Sequence, residues 1–201
     1  MALNPLALTQ VLPFLPLAQG DIDYETERRG EPDLLHKVLL EPSTTVMLTC
    51  DGRVAVPRGQ GAKADYENAA MRLATLPGAY VLDALERHPG AVGMFLGGYT
   101  GLAGGQHVVA VDITRIDGES DEDCNAGDAG TVDGQLAGYG QRADDAGNTG
   151  KADILQQATA RFDWVDLRGF APHANAREAG QATSAVALSV WHNRQRHCPA
   201  C

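Results

Sequence analysis

The stretch from Asp117 to Gly150 limits the fold more than any other part of the chain. It holds nine acidic residues against one Arg, eight glycines and almost no large apolar side chains. Such a segment cannot bury enough apolar surface to offset the entropy lost on ordering. It is expected as a disordered insertion, so the folded body must come from residues 1–116 and 151–193. The segment also carries about −8 of the formal net charge of −10, which assigns the acidity to a loop rather than to the body. It reads either as an acidic lid or cation sink, or simply as a solvated insertion.

That charge argues against a nucleic-acid surface, which needs clustered Lys and Arg. The most basic run, Arg194–His197, suits a helix end whose cations face the helix dipole. Met1–Gly20 is apolar, but it has no Lys or Arg ahead of the apolar run and is broken by Pro5, Pro13 and Pro16, unlike a signal peptide. No stretch reaches the roughly 18 apolar residues of a membrane span. Cys50, Cys124, Cys198 and Cys201 allow two disulfides in an exported chain. Without an export signal, reduced thiols and metal ligation are expected, with a cytoplasmic location. Cys50 and Cys124 lack spaced partners and are expected as ordinary thiols.

Along the body, Asp33–Leu40 reads as a short helix with Pro32 near its first turn, closed by Glu41-Pro42. Thr45–Cys50 and Arg53–Pro57, joined by Asp51-Gly52, form a hairpin with a type I′ turn. Lys63–Leu76 has helical spacing and is expected to stop at Pro77-Gly78. Gly93–Gly97 and His107–Ile113 read as a second strand pair, and Ala152–Ala160 as helical. Asn175 and Glu178 make a capping box for a helix whose face runs Ala179, Ala182/Thr183, Val186 and Val190. The expected class is α+β with an antiparallel or mixed sheet. The Gly-rich run Gly97–Gly105 lacks the Gly-Lys-Ser/Thr of a phosphate loop and has strands on both sides, so it reads as a hairpin turn.

That last helix leads through Trp191-His192 to Cys198-Pro-Ala-Cys201. Cys-x-x-Cys is the first knuckle of a zinc ribbon, which brings two thiolates within about 2.3 Å of one ion. A thioredoxin-like redox pair is the alternative, but that motif opens a helix after a strand. Zinc is therefore expected on Cys198 and Cys201. The second Cys-x-x-Cys that completes a ribbon, about 15–20 residues on, does not follow. His192 is expected beside Trp191, and His197 at the helix end. Trp164 and Trp191 read as core residues, or alternatively as a stacking platform for a nucleotide. Arg168 is expected in an internal ion pair, the alternative being a phosphate or subunit contact.

The series Trp164-x-x-Leu167-Arg168, the Ala-rich helix to Trp191-His192, and His197-Cys198-x-x-Cys201 resembles the NADH pyrophosphatase family of Nudix hydrolases. Phe95-Leu96-Gly97 and Val109-Ala110-Val111-Asp112 are also similar to that family's N-terminal domain. The resemblance covers Phe162–Cys201 most closely and Leu34–Ile113 more loosely. It implies a degenerate Nudix-like N-terminal domain, with residues 194–201 as the first knuckle of a truncated zinc ribbon. The parent enzyme would be a cytoplasmic homodimer that cleaves NAD(H) to mononucleotide and AMP with Mg or Mn, and that removes NAD caps from RNA. The metal-binding Nudix box, Gly-x5-Glu-x7-Arg-Glu-x-x-Glu-Glu-x-Gly, is absent from the sequence. The chain itself is therefore expected to be inactive. The competing expectation is a non-catalytic scaffold or dimerisation module that shares a zinc between chains.

Overall fold

In the computed structural model the described residues are 22–61, 70–99, 106–116 and 153–195. The readings made for Met1–Gly20, Asp117–Gly150, Cys124, His197, Cys198 and Cys201 lie outside them. The described residues form a mixed α+β structure with seven strands and five α-helices. The strands are β1 (Ile22–Asp23), β2 (Thr45–Cys50), β3 (Arg53–Pro57), β4 (Thr75–Pro77), β5 (Val92–Tyr99), β6 (Gln106–Asp112) and β7 (Phe162–Asp166). The helices are α1 (Leu34–Leu40), α2 (Gly78–Arg87), α3 (Ala158–Arg161), α4 (Leu167–Phe170) and α5 (Ala176–Arg194). The sheet runs β1-β5-β6-β2-β3-β7, and β4 pairs with β2.

The alternation of apolar residues explains why this sheet has helices on both sides. Val46, Leu48, Ala55, Phe95, Val109 and Val111 point to one face, where Val38 and Leu39 of α1 and Val81 and Ala84 of α2 pack. Met47, Val54, Val56, Met94, Val108 and Ala110 point to the other, against Phe170 of α4 and Ala182 and Ala185 of α5. Adjacent residues thus serve two separate cores.

The type I′ turn forms as expected, with Asp51 at φ 47° and Gly52 at φ 71°. Beyond it β2 and β3 pair at just two positions, Thr49↔Val54 and Cys50↔Arg53. β3 then turns to β7, and β4 takes its place beside Thr45–Met47. β2 also runs parallel to β6, so the sheet is mixed rather than purely antiparallel.

The helix expected over Lys63–Leu76 is absent from its described part. Met71 bridges to Ala174, and residues 75–77 are strand β4. The reason is long-range capture of the backbone. The Met71 N–H donates to His173 O (2.9 Å), and the Leu73 N–H donates to Glu178 Oε2 (2.8 Å). Pro77-Gly78, expected as a stop, instead opens α2. Asn175 caps α5 by accepting from the Glu178 N–H (2.9 Å). The Glu178 carboxylate does not return to Asn175; it holds Arg72 (2.6 Å) and the Leu73 N–H. The capping box is therefore half made. The buried residues of α5 are Ala179, Gly180, Gln181, Ala182, Ala185 and Ser189; of the expected face Ala179 and Ala182 are buried, while Thr183, Val186 and Val190 are half-buried. Within the stretch expected as helical over Ala152–Ala160, the described residues 153–160 give turns and then short α3 rather than one helix.

Candidate functional site

Of the residues singled out from the sequence, Trp191 and His192 lie in the last turns of α5, and Cys198 and Cys201 lie outside the described residues. Asp112, the last residue of β6, is 2% exposed, and its carboxylate gathers the surrounding elements. Its Oδ1 accepts from the Thr114 N–H (3.0 Å) and hydroxyl (2.5 Å). Its Oδ2 accepts from Ser189 Oγ (2.9 Å) and Asn193 Nδ2 (2.6 Å), one helical turn apart on α5. Thr114 Oγ1 in turn accepts the Asp51 N–H (2.9 Å), which ties in the β2–β3 turn. A carboxylate at a helix C-terminus opposes the dipole. Arg115 offsets this by donating to Asn193 O (2.7 Å). The stripe of small residues on α5 supplies little apolar area, so these polar bonds fix its last turns.

Beyond that anchor the outer face of α5 carries Leu188, 38% exposed, and Trp191, 55% exposed. The expectation that Trp191 packs in the core is overturned. The helix turns its Ala/Ser stripe to the sheet and leaves the large ring outside. His192 does lie beside Trp191, edge to face with centroids 4.9 Å apart. Trp164 is half-buried against the α1/α2 core, on the opposite face of the sheet from α5. The two tryptophans therefore do not form one platform. Arg168 is exposed, and no ion pair to it is present among the described residues.

Cys50 also departs from expectation. It is buried at the end of β2 and disulfide-bonded, not an ordinary thiol. Its partner must be Cys124, Cys198 or Cys201, the remaining cysteines of the chain. Sequence spacing looked for a nearby partner, whereas the fold supplies a distant one. A sulfur held in a disulfide is not available as a thiolate ligand. Among the described residues no group of three His, Cys, Asp or Glu side chains is placed to hold a metal ion. The described residues thus do not themselves furnish a zinc site. Nor is any helix among them long and apolar enough to cross a membrane.

Two histidine–carboxylate pairs were not found from sequence, because each joins residues far apart in the chain. His107 of β6 meets Glu25 (2.8 Å) at the β1 edge of the sheet. His88, just after α2, meets Asp153 Oδ2 (2.5 Å), which also binds Arg87 (2.6 Å). Burial pushes the Asp153 carboxyl up. The His88 hydrogen bond, the Gln156 N–H and the charges of His88 and Arg87 together outweigh it, leaving the group below its ordinary value of 3.8. A depressed carboxylate stabilises the fold above its unfolded value, and this is lost as pH falls through the folded value. The stability gap between the parent chain and Asp153→Asn should therefore be full near neutrality and close as pH drops below about 4. A gap that stays constant through acid would remove this role.

No protein-family model matches the chain, and no characterised protein matches it.

Proposed function

We propose that this chain is the N-terminal part of an NAD(H) diphosphatase, a non-catalytic domain that presents the first zinc knuckle, Cys198 and Cys201. The carrying observation is the end of α5. It is locked to the sheet through Asp112 and turns Trp191-His192 outward, just ahead of Cys-x-x-Cys. An α+β body with a mixed sheet agrees with the coarse architecture that the resemblance to a degenerate Nudix-like domain implies. In this reading zinc is structural and holds the ribbon, while Mg or Mn acts at a Nudix box that this sequence does not contain. Many described carboxylates have structural work instead: Asp112 with α5, Asp153 with His88, Glu178 with Arg72, Asp166 on the Gly169 N–H.

A second reading, a scaffold that shares one zinc between two chains, is favoured by the exposed Leu188–Trp191 face of α5. One set of measurements separates the two. The purified chain with NADH and Mg or Mn should release no AMP on either reading. Under reducing conditions the scaffold binds about one zinc per two chains, and a chelator splits the dimer. The diphosphatase domain holds zinc weakly, and a chelator leaves its oligomeric state unchanged. Magnesium-dependent AMP release would refute both. Non-reducing peptide mapping adds a further check. Cys50 paired with Cys198 or Cys201 would deny the oxidised chain one knuckle ligand, and with it the zinc role in that state.

A further inference from the structure

The outer side of α5 can be placed strand by strand. Ser189 and Asn193 face Asp112 of β6. Val190 faces the β2–β3 turn, 3.6 Å from where a Cβ on Gly52 would lie. Successive helical residues turn by about 100°, so Leu188 and His192 point to the opposite side from Val190, and Trp191 stands outermost. The sheet order β5-β6-β2 makes that opposite side the β5 side. Among the described residues, then, α5 leaves an exposed apolar pair, Leu188 and Trp191, on its flank toward β5.

The chain enters the fold at that same strand. Ile22, the first described residue, pairs with Tyr99 of β5, and its side chain packs on the α5 face of the sheet. The Tyr99 ring lies under Arg177 in the first turn of α5, 4.5 Å from its guanidinium carbon. Residues 1–20 therefore join the body beside the start of α5. From Arg177 to Trp191 the helix runs about 21 Å. Twenty residues reach about 30 Å as a helix and about 66 Å when extended, so either form is long enough to run back along α5. The composition suits that face. Residues 1–20 hold nine large apolar side chains and not one charge, a stretch that gains free energy by leaving water. Attachment favours them over a second copy, because a short link gives an effective concentration on the order of mM. The other exposed apolar pair, Leu40 and Tyr80, belongs to α1 and α2, which pack on the opposite face of the sheet from Ile22.

We propose that residues 1–20 fold back along the outer side of α5 and cover Leu188 and Trp191. This cover is independent of the diphosphatase reading, and it closes the face that favours the shared-zinc scaffold. The test uses the full chain with 13C-labelled methyl groups. The Trp191 ring should show NOEs to leucine methyls of residues 1–20. A mixture of labelled and unlabelled chains separates contacts within a chain from contacts between chains. Contacts within one chain are expected. Contacts only between chains would assign the face to a second copy and overturn the proposal, and a Trp191 ring with no such contact overturns it too. The double variant Leu188→Gln/Trp191→Gln changes two exposed positions and keeps good helix formers there. Chymotrypsin should cut it after Phe14 about tenfold faster than the parent, with cleavage after the buried Phe170 unchanged. Equal cleavage after Phe14 in the two chains overturns the proposal.

Discussion

Asp112→Ala should melt roughly 10 °C below the parent chain, a loss of about 3–4 kcal/mol. The substitution removes a small side chain, and the cavity alone would cost far less. The cost lies in what remains. The Ser189 hydroxyl, the Asn193 amide and the Thr114 N–H and hydroxyl all donate to this one carboxylate. Without it they are left in a site where Asp112 itself is 2% exposed. Each unsatisfied buried donor costs about 1–3 kcal/mol, and relaxation within one network keeps the sum below simple addition. Ser189→Ala is the contrasting change. It deletes one donor while the carboxylate keeps its others, so about 1 kcal/mol is expected. Urea unfolding of the two variants decides the matter. If Asp112→Ala falls within about 0.5 kcal/mol of the parent, Asp112 does not anchor α5. The same variant should loosen the helix end from which Trp191-His192 project, so its effect reaches the region on which the functional reading rests.

The sequence was most legible where the determining contacts are local. Asp51-Gly52 forms its turn from two adjacent residues with positive φ, and the stretches Gly93–Gly97 and His107–Ile113, read as a strand pair, fall on β5 and β6. Asn175 caps α5 three residues ahead of its donor. Readings failed where a distant partner decides. Residues 70–76 have helical spacing, yet Glu178, His173 and β2 claim their backbone. Trp191 was assigned to the core because large rings bury well, but the Ala and Ser side of α5 is the one that fits close to the sheet. The candidate site divides the same way. Trp191 beside His192 follows from sequence neighbours, whereas Asp112 meets Ser189 and Asn193 only through folding. Gly97-Gly98, which looked like loop residues, belong to β5; the first lies at a bulge and the second clears space for Glu25 and His107.

Gly78 tests this contrast with the opposite sign of effect on each view. It is the first residue of α2, after Pro77 in extended conformation. Helix propensity alone says that Gly78→Ala should stabilise by about 0.5–1 kcal/mol, since Gly loses more backbone entropy on folding. The packing says otherwise. A Cβ there would lie 2.4 Å from Leu39 O and 3.1 Å from both Leu39 C and Cα. These are backbone atoms of α1, so no side chain can swing aside to relieve the overlap. The Gly78 N–H also donates to Thr44 O (3.3 Å), which limits any retreat of α2. Separating α1 from α2 would open the core around Val38, Leu39, Val81 and Ala84. The expected result is a loss of about 2–4 kcal/mol, in the range of overpacked cores. Gly30→Ala is the control, because a Cβ there meets nothing within 4 Å. It should stay within about 0.5 kcal/mol of the parent. If Gly78→Ala unfolds at the same or higher denaturant concentration than the parent, the close approach of α1 and α2 is wrong. Local propensity, not packing, would then explain where α2 begins.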